Sequence, residues 1–305
     1  AISDACDGDS IIFNLSTGNE TIILTSEIAI TKALTINGTN TSGSGTDVTV
    51  QVTSPKVSAW RVFEINAVGK TVSVQNMKIK GGDVWPASVT FAESEYGGAI
   101  RLMAGNLTLE NVTVSDSKAV FGGAMYTKGT TTLRNCTFHD NLGDRGGAVF
   151  SKNVDVAVIN STFTNNQATF SGGALCPSGG TTHVINSTIT GNNASSMGGG
   201  ICGHSNETFY VANTILQNNT DTWGGPNFRN ATLYSFYSWI GPGTGSPIYQ
   251  TTAPSINTSY TAGDIGALAS NGGPTQTMAV LSGKPPFQTG GFVYYNPGDG
   301  YYLQG

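Results

Sequence analysis

Cysteines, acids, histidines and Asn-x-Ser/Thr asparagines are the residues of this chain whose types and spacing could do chemistry. The four cysteines are Cys6, Cys136, Cys176 and Cys202. Cys176 and Cys202 each stand four residues after the first glycine of a Gly-Gly pair, which predicts the same place on adjacent turns of a repeat. Their Cα atoms would then lie about 5 Å apart, within the roughly 4.4–6.8 Å span of a disulfide. A Cys176–Cys202 bridge is expected on that ground, and with it an oxidising compartment. Cys136 aligns with Val112 and Ser161 at an inward position and reads as a buried free thiol, while Cys6 is either free or paired between chains. No Cys-x-x-Cys occurs, and His139, His183 and His204 do not share a register, so neither a metal site nor a cofactor is expected.

Cleaving a polysaccharide would need two acids roughly 5–9 Å apart, or several carboxylates around calcium. Only Asp116 and Asp140 fall in one register, and their row continues with Asn165 and Gly191. Stacked Asp beside Asn141 and Asn166 reads as a ladder of turn residues. His139, Asp140 and Asp144 read as a solvated turn, and Gly241-Pro-Gly-Thr-Gly is a loop with no helix behind it to hold a phosphate. No catalytic residue is assigned, and the chain is expected not to be an enzyme.

Asn-x-Ser/Thr triplets number fourteen. Those at Asn111, Asn135, Asn160 and Asn186 belong to the repeat and are expected to point inward, where no sugar fits. The other ten are Asn37 and the glycosylation candidates Asn14, Asn19, Asn40, Asn106, Asn193, Asn206, Asn218, Asn230 and Asn257.

The elements that position these residues follow from an internal repeat. Gly-Gly pairs begin at Gly97, Gly122, Gly146, Gly172, Gly198 and Gly224, at intervals of 25, 24, 26, 26 and 26 residues. Five of the pairs are followed by a small and then an apolar residue, as in Gly97-Gly98-Ala99-Ile100. About fourteen residues after each pair a second signature recurs, centred on Asn111, Asn135, Asn160, Asn186 and Asn213. Between the signatures run short period-two stretches such as Leu107, Leu109 and Val112, Val114, with no 3.6-residue period. Units of this length, built of short strands and tight bends, predict an all-β solenoid: a single-stranded parallel β-helix whose coils stack about 4.8 Å apart. A propeller blade would need about 40 residues and a leucine-rich repeat a leucine consensus.

Stacking predicts side-chain ladders. Asn111, Asn135, Asn160, Asn186 and Asn213 are expected to form an inward amide ladder, and the paired glycines to supply a positive-φ bend. Tyr96, Phe121, Arg145, Ser171, Met197 and Trp223 should stack before the glycines, with Arg145 near Phe121, and Glu110 should face Arg134 across coils. Residues 1–240 read as the helix, with a cap and irregular coils over 1–96 and regular coils over 97–225. Residues 39–46 and 83–95 read as loops leaving the coil. Residues 241–305, rich in Tyr, Pro and Gly, read as a C-terminal cap or interaction arm.

Composition agrees with a packed β protein: 11% charged residues, 41 glycines in 305 residues and a net charge of −5. The acidic balance argues against nucleic-acid binding, and 38% hydrophobic content against disorder. No apolar run is long enough to span a bilayer as a helix, and any signal peptide is read as already removed.

The Gly-Gly-Ala-Ile units and Asn160-Ser-Thr-Phe-Thr-Asn-Asn166 resemble the repeats of chlamydial polymorphic outer-membrane proteins. The opening Cys6-Asp-Gly-Asp-Ser-Ile-Ile-Phe13 and the stretch Ile265–Met278, with Asn271-Gly-Gly-Pro-Thr-Gln-Thr277, are similar to the choice-of-anchor Q family of secreted β-helices. The resemblance covers residues 5–283. It implies a right-handed helix, an extracellular or surface address and no enzymatic activity. The chain is expected to be a non-catalytic extracellular structural protein that self-assembles into a filament or layer. Phe292, Tyr294, Tyr295, Tyr301 and Tyr302 would form the arm that adds to a neighbour's coil edge. A monomeric adhesin binding cells or glycans is the alternative, and a polysaccharide-cleaving enzyme the second.

Overall fold

The computed structural model describes residues 2–15, 20–40, 48–52, 60–236, 238–241, 248–250, 265–269, 275–280, 292–296 and 300–304. Its body is a parallel β-solenoid. One regular turn runs through strands Met125–Thr127, Thr131–Arg134, Thr137–His139 and Leu142–Arg145. The next lies on it in register, pairing Met125 with Val149, Leu133 with Val158, Phe138 with Phe163 and Leu142 with Gln167. On one side eight levels stack without a break: Ile28, Phe63, Ile100, Met125, Val149, Leu175, Ile201 and Phe228. From Phe63 onward every residue of that column is buried, and with columns such as Leu109–Leu133–Val158–Val184 it fills the interior. The first strands of the chain are Asp9–Phe13, Thr21–Leu24 and Ile28–Ile30.

The two glycines of each pair are required for different reasons. The first takes the left-handed bend, with φ of 64° at Gly122, 65° at Gly146 and 66° at Gly172. The second is needed for close approach: a Cβ on Gly147 would sit 2.2 Å from the carbonyl oxygen of Gly173. The backbones of neighbouring corners therefore touch, leaving no volume for a side chain.

The inward asparagine ladder lies on other residues than the sequence suggested. Asn111, Asn135, Asn160, Asn186 and Asn213 all adopt positive φ, between 49° and 56°. A residue in that conformation turns the chain and holds its side chain outside, so Asn160 and Asn186 are exposed. Only the early members share amide bonds: Asn135 Nδ2 donates to Asn111 Oδ1 at 3.1 Å, Asn111 to Asn76 at 2.8 Å, and Asn76 to Asn37 at 3.0 Å.

The residue after each of these asparagines points inward instead. Ser161, Ser187, Thr214 and Ser238 form a hydroxyl ladder in which each oxygen accepts the backbone N–H of the preceding coil. Each hydroxyl then donates to the carbonyl two residues before it.

A second inward column runs Asn141, Asn166, Asn192, Asn219 and Asn227, all buried. Asn166 Oδ1 accepts both the Nδ2 (2.9 Å) and the N–H (3.2 Å) of Asn141, while its own Nδ2 donates to Phe138 O and Asn192 Oδ1, each at 2.9 Å. Every hydrogen-bonding site of the amide is used.

The end of the chain also departs from expectation. Thr275 Oγ1 donates to Asn135 O, Thr137 Oγ1 donates to Gln276 O, and Met278 packs on Ile215 and Trp239. This segment folds back along the outside of the solenoid. Strands Phe292–Asn296 and Gly300–Gln304, within the stretch read as a cap or interaction arm, pair with each other in an antiparallel hairpin that sets Tyr294 opposite Tyr302 and Tyr295 opposite Tyr301. Self-pairing satisfies one edge of each strand locally.

The Asn166→Ala variant removes the acceptor of the Asn141 N–H, one of the two acceptors of its Nδ2, and the side-chain donor to Phe138 O, and should lose about 2–4 kcal/mol in urea unfolding. Asn160→Ala, at the exposed corner, should lose about 1–2 kcal/mol. Equal losses would contradict the assignment of the inward column.

Candidate functional site

Asp116 and Asp140 occupy corners, not a cleft. Both have φ of 56°, and their row-mates Asn165 (55°) and Gly191 (69°) are positive too, so the row is selected for left-handed backbone. Asp116 lies 3.5 Å from Lys80 Nζ and accepts the Ser115 hydroxyl, and Asp140 Oδ2 is 2.7 Å from His139 Nδ1. Each acid is engaged locally. Among the described residues no group of three or more His, Cys, Asp or Glu is arranged to hold a metal ion. Glu110 and Arg134 are in register, but no ion pair links them.

The expected Cys176–Cys202 bridge is absent: both residues are free, buried thiols, and so is Cys136, whereas Cys6 is exposed. The register was read correctly, since Leu175 pairs with Ile201. Parallel in-register side chains leave the sheet side by side, however. Their Cβ atoms stay one strand spacing apart, about 4.8 Å, where a bridge needs roughly 3.5–4.5 Å. Cys176 Sγ instead lies 3.6 Å from Ser171 Oγ, and Cys202 donates to Gly203 O. Burial pushes Cys136 and Cys202 up to about 12 and raises Cys176 as well, so none offers a thiolate near neutral pH.

The first coil is built differently from the rest. Strands Asp9–Phe13, Thr21–Leu24 and Ile28–Ile30 pair on one side, with Leu34–Asn40, Val48–Val52 and Phe63–Lys80. Among the described residues no strand pairs on their other side. Ile11, Phe13, Ile22, Leu24 and Ile28 continue the core columns but are only partly buried, and Ile12 and Ile23 are 61% and 55% exposed. Ile2, Ala5 and Leu15 also pack against the core, and among the described residues no further strand lies across this end.

Just beyond this end, a charged cluster missed in the sequence pins residues 83–95 to the solenoid. Arg61, 4% exposed, donates to Glu64 (2.8 Å), Glu27 (3.2 Å) and Ser94 O (2.7 Å), while Glu64 also accepts Arg101 Nε at 2.6 Å. The partners are spread over 75 residues (27 to 101), so no local pattern points to them.

Of the glycosylation candidates, Asn14, Asn106, Asn193 and Asn230 are exposed and Asn218 is half-buried. Asn19 and Asn257 lie outside the described residues, as do the side chains of Asn40 and Asn206.

The sequence profile of the right-handed β-helix region matches residues 50–221, or 172 of the 305 residues. The chain belongs to the right-handed β-helix family. The match covers the regular coils of this β-helix and stops close to the last Gly-Gly corner. Neither a curated protein nor a solved structure matches it significantly. No helix among the described residues is long and apolar enough to cross a membrane.

At pH 8 the native β-helix should expose one thiol per chain, that of Cys6, to an aromatic disulfide reagent, and all four in urea without reductant. Two in urea would restore the bridge. Arg61→Ala leaves Glu64 and Ser94 short of a partner and should cost about 3–5 kcal/mol, with protease cleavage appearing within 83–95. Unchanged stability and resistance would remove the cluster from the account.

Proposed function

We propose that this β-helix is a non-catalytic extracellular structural protein that self-assembles end to end into a surface filament or layer. The first coil carries this reading. Three strands that, among the described residues, pair with other strands on one side alone, together with five half-buried core residues, form a surface that another parallel edge would extend through continuation of the apolar columns. Another copy of the chain offers strands of the same spacing and period. The joint thus moves from the C-terminal arm, whose strands pair with each other, to the first coil.

Several observations support the rest of the reading. The resemblance of the Gly-Gly-Ala-Ile and Asn160–Asn166 units to chlamydial polymorphic outer-membrane proteins, and of Asn271–Thr277 to the choice-of-anchor Q family, favours a surface address. The local pairing of Asp116 and Asp140 favours a structural role over cleavage. Exposed aromatic residues on one flank favour a second reading, a surface adhesin that binds glycans.

Light scattering and negative-stain microscopy across a concentration series test the proposal. The native chain should form end-joined rods. Ile22→Lys with Leu24→Lys should stay monomeric with unchanged circular dichroism, and removal of residues 290–305 should leave assembly intact. A native chain that stays monodisperse, or a lysine variant that assembles as well, would overturn it.

A further inference from the structure

Two rows of outward side chains run over the Gly-Gly corners, one preceding the glycines and one following them. On the early coils both are aromatic: Tyr96 stacks on Phe121 at 4.6 Å, and Phe121 on Phe150 at 4.7 Å. On the later coils the rings give way to sulfur and hydroxyl groups. In the preceding row Ser171 is bridged to Met197. In the following row Phe150 pairs with Cys176, and Cys202 pairs with Arg229. Leu175 pairs with Ile201, which sets Cys176 and Cys202 side by side on adjacent coils. Ser171 and Cys176 thus share one coil, and Met197, half-buried, and Cys202 share the next.

The two thiols face one space. Ser171 Oγ lies 3.6 Å from Cys176 Sγ, and the same hydroxyl reaches Cys202. Parallel side chains in register keep that space about one strand spacing wide, about 4.8 Å. The width that forbids a disulfide suits a metal ion. A thiolate–metal bond is about 2.3 Å long, as for zinc, so two in line span about 4.6 Å.

The donors select the ion. Zinc takes four ligands at tetrahedral corners, and among the described residues no third His, Cys, Asp or Glu joins these thiols. Thiolate and thioether sulfurs select copper(I), a soft ion content with two or three donors. Charge points the same way, because two thiolates around a monovalent ion leave one negative charge. Burial raises both thiols, while the Ser171 hydroxyl and the charges of Arg145 at Cys176 and of Arg229 at Cys202 oppose it. Two nearby acids are engaged elsewhere: Glu207 accepts the Gly179 N–H at 2.9 Å, and Asp221 accepts those of Gly198, Gly224 and Gly225. Copper(I) entering the site displaces two thiol protons to solvent. Both cysteines are 1% exposed, which shields the ion from water and makes its entry depend on a local opening.

We propose that Cys176 and Cys202 hold a copper(I) ion between adjacent coils, with the Met197 thioether as a third donor and Ser171 positioning the sulfurs. The ion staples the two coils where a disulfide cannot form. The site is on the flank of the β-helix, so its failure and the failure of end-to-end assembly are separate outcomes.

Titration with copper(I) under argon against a chromogenic chelator tests it, with Cys6→Ser throughout to remove the exposed thiol. The folded chain should take up one copper(I), or one silver(I) as a redox-silent substitute, and no zinc(II). X-ray absorption of the copper form should show at least two sulfur neighbours. Cys176→Ser and Cys202→Ser should each weaken binding more than about a hundredfold, Ser171→Ala and Met197→Leu about tenfold, and Cys136→Ser should leave it unchanged. Circular dichroism confines the comparison to folded variants, and the absorption spectrum needs none of them. No copper held by the folded chain, oxygen or nitrogen neighbours alone, equal uptake of zinc, undiminished binding in either cysteine variant, or its loss in Cys136→Ser would overturn the proposal.

Discussion

In-register stacking is the constraint on which everything else in this molecule rests. Each coil is too small to bury its own inner face, so each inward polar group must find its partner one coil away. The inward asparagine column does this: the side-chain oxygens of Asn166, Asn192 and Asn219 each take two donors from the coil before, and the side-chain nitrogens of Asn141, Asn166 and Asn192 reach the coil after. A slip of one residue would leave several buried groups unpaired, at about 1–3 kcal/mol each. Apolar columns alone would tolerate such a slip better, since Val, Ile and Leu are nearly interchangeable at these positions. The polar ladders set the register, and the glycine corners set how closely the coils approach.

Much of this was legible from residue types. The Gly-Gly interval gave the coil length, and the period-two runs at Leu107, Leu109 and Val112, Val114 lie in the strand Ile100–Ser115. The predicted Tyr96–Phe121–Arg145 stack is present. The asparagine ladder was displaced because alternation fails at a left-handed corner: Asn160 turns the chain, and its neighbour Ser161 faces in. Ser, Ser and Thr at 161, 187 and 214, and Asn at 141, 166, 192 and 219, carried the signal that would have corrected it. The disulfide was misread because Cα spacing is necessary for a bridge but parallel side chains do not converge. The Arg61 cluster joins residues of three successive coils that are far apart in the sequence, so no single stretch holds it.

The same physics explains where function can reside. Inside, every position answers to its neighbours above and below, so a substitution propagates along a column. Outside and at the ends that coupling is weaker. Phe170 on its bulge, Trp223 on the last glycine corner and the half-covered first coil depart from the regular pattern where the fold does not require it. Exposing Phe170, Trp223 and Ile12 costs apolar burial, and burial is what holds a domain of this kind together.

The central claim is a register-locked interior with a first coil that joins another copy end to end. Native-state hydrogen exchange at two protein concentrations measures both parts at once. The amides of Asn141, Asn166 and Asn192, each bonded to a side-chain oxygen, should exchange only through global unfolding at either concentration. Peptides covering residues 9–30 should exchange rapidly in dilute solution and slowly at high concentration. Rapid exchange at Asn166, or first-coil protection that is high and independent of concentration, would contradict the account.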